Sequence, residues 1–224
     1  MKLRFSLSRT LKVQDLRIPV PIHWTPEHGT HQLSAEKALR KWPTEKGWAV
    51  PAEILFSIHI EPGVRGSASG TLTLCSSDLE RANGPDWFAL HDAYRHSRST
   101  FGSTLAREMF LLPEHPWNIQ DVSAVIGVIP RELRCRLFRE AYSFSASLRR
   151  CRLLHVFLST LSPDHPSRDL TKAMTSNRHH LDTTFKSTHH VALSSIAKMT
   201  LPNVSPGHLQ ERLPPATNGA CLRG

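Results

Sequence analysis

Apolar residues recur along this chain at two different spacings. Near the start, Leu3, Phe5 and Leu7 alternate with Lys2, Arg4 and Ser6, the period of two that places one face of a strand inward. Residues 9–32 show no clean period, and Pro19, Pro21 and Pro26 fall among them. A proline removes an amide donor and pushes the residue before it towards extended backbone, so this stretch reads as irregular. Ala35 to Trp42 predicts a short helix, with Ser34 as cap and Pro43 as stop. Ile54 to Ile60 is β-branched, apolar and partly alternating, and Thr71 to Leu74 alternates cleanly. With Pro62-Gly63 as a turn signal between them, they predict two strands of one antiparallel sheet.

After the break at Asn83-Gly84-Pro85, the spacing lengthens to the helical one. Trp87 to Tyr94 fits either a helix or a strand. Leu105, Met109 and Leu112 predict a helix over 104–112 with Ser103 as its cap, and Pro113 and Pro116 punctuate the chain before Trp117. From Trp117 to Leu161 the layout is two short helices, a tight turn and a longer helix. Val122, Val125 and Ile126 share the face of the first, and Gly127 follows where a helix often ends left-handed. Pro130 suits a first helical turn, where its missing amide would lack a partner anyway. Leu133 and Leu137 then face inward, while Arg131, Arg134, Arg136 and Arg139 point elsewhere. A short helix, a glycine turn and an arginine-rich second helix outline a helix-turn-helix. An ordinary amphipathic helix with a solvated basic face is the alternative that charge alone leaves open.

Charge leans the same way. The chain has 224 residues, with 28 Lys and Arg against 19 Asp and Glu, a net +9 with its 14 His neutral. That excess favours a polyanionic partner. Cys75, Cys135, Cys151 and Cys221 share no metal or disulfide spacing, which fits reduced thiols in a cytosolic protein. No apolar run approaches the roughly 18 residues that span a bilayer, so no membrane partner is expected. The basic start lacks the continuous apolar core of a secretory signal.

Little points to catalysis. A Gly-x-Ser-x-Gly elbow, a phosphate-cradling Gly loop and His-Glu-x-x-His are all missing from the sequence. His91-Asp92 and Asp164-His165 are isolated neighbours. Adjacent histidines on a helix diverge by about 100°, so His179-His180 and His189-His190 each supply one metal ligand at best. Neither an enzyme, a metal nor a cofactor is expected. Trp24, Trp42, Trp48, Trp87 and Trp117 read as core or interface residues.

The frame around Gly127 resembles the DNA-binding domain of AraC-type transcriptional regulators. The matching residues are Val122, Ser123, Gly127, Val128, Leu133, Leu137, Ser143-Phe144 and Arg152. The Leu137-to-Phe144 spacing suits a branch whose members often regulate acid-response and virulence genes. Ile129 stands where the family prefers Ser, Ser123 where it prefers Ala, and Cys135 where Arg is usual. The family carries a second such motif, and residues 169–199 resemble it more weakly. Leu170, Thr171 and Ala173 fall where its first helix would be, Leu181 where a buried anchor sits, and Phe185-Lys186 near the end of the second recognition helix. Val191-Ala192-Leu193 stands for Val-Thr-Pro, and His189-His190 for Phe-Gly; the usual Gly before this recognition helix is missing. Asn177, Arg178 and His179 match the positions that face bases. A loosely helical tail without a DNA role is the other reading of this segment.

The resemblance implies an α+β chain. Its C-terminal domain, over 106–200, is mainly α, with two helix-turn-helix units joined by a long helix and DNA binding as its role. A smaller β-containing N-terminal region, 1–105, serves as an accessory or dimerisation part. Residues 201–224, rich in Pro and Gly, form a disordered tail. The implied function is a cytoplasmic, sequence-specific regulator that inserts Pro130 to Glu140 into the major groove of double-stranded DNA. Arg131 and Arg134 contact bases or phosphate, and Arg136 and Arg139 contact phosphate. RNA polymerase and a second copy of the chain are further implied partners. The alternatives are a degenerate or non-specific nucleic-acid binder, and a protein-interaction module.

Overall fold

The computed structural model describes residues 1–35, 43–44, 47–75, 84–96, 100–162 and 178–201. The helix expected over 35–42, the helix expected around Leu170 to Ala173, and the tail from 202 onwards lie outside the described residues.

Among the described residues, eight strands come first: β1 Lys2–Leu7, β2 Leu11–Arg17, β3 Ile22–His28, β4 Thr30–Ser34, β5 Pro43–Thr44, β6 Gly47–Val50, β7 Leu55–Glu61 and β8 Ala68–Leu74. They form two antiparallel sheets, ordered β1-β8-β3-β6-β5 and β2-β7-β4. β1 is as expected, with Leu3, Phe5 and Leu7 all buried. β7 and β8 also form, but they are not partners. β8 lies between β1 and β3, and β7 lies between β2 and β4, each in its own sheet.

Residues 9–32 correct the expectation of irregular chain, because they hold β2, β3 and β4. A phase slip hides their alternation. Val13 pairs with Ile58 and Leu16 with Phe56, so one extra residue bulges from β2 around Asp15, whose φ is +56°. Buried positions run Leu11, Val13, then Leu16, Ile18, Val20, Ile22 and Trp24. The prolines also find harmless places. Pro19 and Pro21 fall between strands. Pro26 lies beyond the Ile22–Trp24 stretch that pairs with β6, so its missing amide leaves that ladder intact.

Seven helices are described: α1 Trp87–His96, α2 Phe101–Leu111, α3 Ile119–Ile126, α4 Pro130–Arg139, α5 Phe144–Leu161, α6 Arg178–His189 and α7 Leu193–Met199. The cap of α2 is Thr100, not Ser103, which sits inside the helix with its hydroxyl on the Thr100 carbonyl. One buried cluster runs from Phe5, Trp24 and Ile58 among the strands to Phe110, Leu154 and Phe157 among the helices. The chain after α7 returns to the strands. The Ser8 amide donates to Met199 O and the Leu201 amide to Ser6 O, both at 2.8 Å, and Thr200 bridges Leu7. This short addition covers the last residues of the outer edge of β1.

α6 and α7 are joined by a sharp bend. His190 has φ +60°, the left-handed conformation that glycine usually supplies. His189, standing for an aromatic, is buried with its ring 4.4 Å from Phe185 and its Nδ1 at 2.8 Å from Gln14 O of β2. Burial pulls the His189 pKa below the ordinary histidine value. α7 lacks its own capping side chain, and Asp182 of α6 substitutes by accepting from the Ser194 amide and hydroxyl at 2.9 and 2.7 Å.

Candidate nucleic-acid interface

The candidate interface is built from α3, the Gly127 turn, α4 and the start of α5. Asn118 opens α3 by accepting the Gln120 amide at 2.9 Å. Gly127 closes it at φ +79°, which lets the Gly127 and Val128 amides reach the carbonyls of Ala124 and Ser123. Val122 and Ile126 are buried, whereas Val125 is 47% exposed and does not share their face as expected. Ile129 is the extended residue before α4 and offers no side-chain cap; Pro130 follows in the first turn.

α4 is anchored by Leu133 and Leu137, both buried. Arg131, Arg134 and Arg139 are exposed, together with Cys135 and Phe138. Arg136 is less exposed and already has an acidic partner. Its Nε lies 2.7 Å from Glu140 Oε1, and its guanidinium sits over the Tyr94 ring at 5.9 Å. The other Glu140 oxygen accepts the Gly102 amide at 2.7 Å. Arg136 thus braces α4 against α1 and α2.

Two clefts flank α4. One, about 520 Å³, is lined by Tyr94, Ile129, Arg131, Cys135, Arg136 and Arg139. The other, about 290 Å³, has Arg134 and Phe138 on one wall and Tyr142, Ser143 and Phe144 on the opposite one. The helix therefore stands as a ridge whose top carries cations.

Behind the ridge, polar side chains tie the motif to the strands. Tyr142 accepts from Arg17 of β2 at 3.1 Å, with the Arg17 guanidinium 5.1 Å from its ring centroid. Glu53 lies between Arg17 and Arg150 of α5, at 2.6 and 2.8 Å. Burial, then the Glu53 charge, pushes the Tyr142 hydroxyl up to about 12. Arg152 donates from Nε to Pro113 O at 3.1 Å and from its terminal nitrogen to His115 O at 3.5 Å, so this arginine holds α5 to the chain entering α3. Phe144, half-buried, packs on the core at the first turn of α5. Cys151 is buried against Ala106 O, and desolvation pushes its thiol up to about 12.

On α6, Leu181 and Phe185 are buried. His179 is exposed on the first turn of α6, and Arg178 begins that helix. Asn177 lies outside the described residues. Two exposed residues near the first unit escaped the sequence reading: Phe138, 83% exposed, and Arg149 on α5. Phe138 was legible as an outward position, four residues from Arg134 on the same helix.

No protein-family model matches the chain, and no curated protein matches it. Among solved structures, a ligand-free variant of ToxT from Vibrio cholerae strain SCE256 superposes with a TM-score of 0.51 at 12% identity, covering 89% of this chain and 97% of that one. The chain shares the fold of that structure. A second structure, ToxT from Vibrio cholerae O395, gives a TM-score of 0.48 at 11% identity over 89% of this chain and 97% of that one, and adds no weight. Among the described residues, no helix is long and apolar enough to cross a membrane.

Proposed function

We propose that the protein is a sequence-specific transcriptional regulator of the AraC type that binds double-stranded DNA. The observation that carries this reading is the α4 ridge. Leu133 and Leu137 hold it, and Arg131, Arg134 and Arg139 stand outward between two open clefts. A ridge of this form fits the major groove, with the clefts leaving room for the backbones on either side. Arg131 and Arg134 contact bases or phosphate. Arg139 and the exposed Arg149 contact phosphate. Arg136, held by Glu140, positions the helix instead. Gly127, Val122, Phe144 and Arg152 keep the motif's geometry.

α6 is the second reading helix, with Arg178 and His179 at its start and Asn177 just before it. Residues 106–200 carry DNA binding, and 1–105 are the accessory or dimerisation part. The protein acts in the cytoplasm, with RNA polymerase and a second copy as partners.

The test is DNA footprinting of the full chain on sites selected from random duplexes, at several salt concentrations. Arg134→Ala weakens binding by at least about 1 kcal/mol. An unchanged footprint together with an unchanged salt slope refutes the reading.

A further inference from the structure

The α4 ridge carries two kinds of side chain. Arg131, Arg134, Cys135 and Phe138 follow the i, i+3, i+4, i+7 spacing of one helical face, and all four are exposed. Phe138 is 83% exposed although Leu137 beside it is buried. A phenyl ring in water among guanidinium groups gains nothing from its own fold. In a major groove, the one apolar group at the base edges is the C5-methyl of thymine.

We propose that Phe138 reads thymine by seating on its C5-methyl group, so that α4 selects thymine as well as guanine. This rests on the DNA-binding reading above. Arg134 and Phe138 line one cleft, of about 290 Å³, so both side chains lie on the same flank of the ridge. Seven residues of α-helix rise about 10.5 Å and turn to within about 20° of the starting direction. Arg131 and Phe138 therefore leave the helix in nearly the same direction about 10.5 Å apart, Arg131 reaching the cleft of about 520 Å³ and Phe138 that of about 290 Å³. For a helix lying along the groove, that distance is about three base-pair steps of 3.4 Å. The half-site holds a thymine for Phe138 about three base pairs from a guanine for Arg131, or about two from a guanine for Arg134, which lies four residues and about 6 Å away along the helix.

The experiment replaces each thymine of a selected site, one at a time, by deoxyuridine, which lacks only the methyl group. Binding of the full-length chain and of Phe138→Ala and Phe138→Leu is then measured by fluorescence anisotropy. Phe138 lies on the surface, so circular dichroism of both variants matches that of the wild type. At one or two positions, removing the methyl weakens wild-type binding about fourfold, the burial free energy of one methyl converted at room temperature. Phe138→Ala binds the thymine and deoxyuridine duplexes alike, and Phe138→Leu keeps part of the difference. If no position discriminates while Arg134→Ala still weakens binding, this proposal fails and the DNA reading stands. A difference that persists undiminished in Phe138→Ala also overturns it. If no duplex is preferred and Arg134→Ala changes nothing, the DNA reading fails and takes this one with it.

Discussion

Replacing Glu53 with Gln tests what joins the strands to the helices. The Glu53 carboxylate is 13% exposed and meets three guanidinium nitrogens: Arg17 Nε at 2.6 Å, and two terminal nitrogens of Arg150 at 2.8 and 3.3 Å. Glutamine keeps the shape and one acceptor oxygen but removes the charge. Two cations then face each other across a neutral group. Removing one partner of a fully buried pair costs about 3–5 kcal/mol, whereas an exposed pair is worth about 0–1 kcal/mol. The Arg150 side chain is 20% exposed and approaches Glu53 in a two-pronged manner, so it stands nearer the first limit. The Arg17 side chain is 35% exposed and keeps its bond to Tyr142, so it stands nearer the second. The expected loss is about 2–3 kcal/mol, most of it through Arg150. Urea unfolding followed by tryptophan fluorescence and circular dichroism reads it as a lower midpoint at unchanged slope. A double-mutant cycle with Arg150→Gln should return a coupling above about 1 kcal/mol. A loss below about 0.5 kcal/mol, or no coupling, refutes the claim that this carboxylate joins the two regions.

Three more outcomes follow from the geometry. His31 and His189 are buried as neutral imidazoles with pKa values lowered from 6.5, chiefly by desolvation. The unfolded chain therefore binds more protons below pH 6.5, so stability is full above that value and falls as pH drops through it; His189→Phe should flatten the slope of urea midpoint against pH between 7.5 and 5, and an unchanged slope counts against the assignment. At Gly102, an added methyl group would lie 2.4 Å from the Tyr142 ring, which Arg17 already pins, so Gly102→Ala should cost about 1–3 kcal/mol in thermal melts. Ala141 and His190 both hold φ +60° on exposed turns, where an L side chain is strained by about 1 kcal/mol. Ala141→Gly and His190→Gly should each raise the melting temperature slightly, and a drop in either would show that the side chain has a stabilising contact.

α3, its left-handed turn and α4 were legible because their signals are local. Gly127, Pro130, Leu133 and Leu137 each act within a few residues, and spacing alone orders them. β2 to β4 were hidden because the bulge at Asp15 shifts the alternation by one residue, so no single period fits residues 11–24. The partner strands of β7 and β8 could not be read either, since pairing across sheets depends on distant segments. Arg136 is a different case. Its ion pair with Glu140 spans four residues, a spacing at which opposite charges on a helix meet, so the sequence held the clue that this arginine is occupied. Val125 shows the converse limit: an apolar residue next to the buried face of a short helix faces out because the face is narrow.

The pairing of residues 199–201 with β1 has a consequence for dissection. Cutting the gene between its strand and helix portions would not release two well-behaved fragments. The strand half would leave the end of β1, from Ser6 to Ser8, without its backbone partners and lengthen an open edge that invites pairing with its own kind. The helix half would lose the anchorage of its last turn, and only the undivided polypeptide satisfies both.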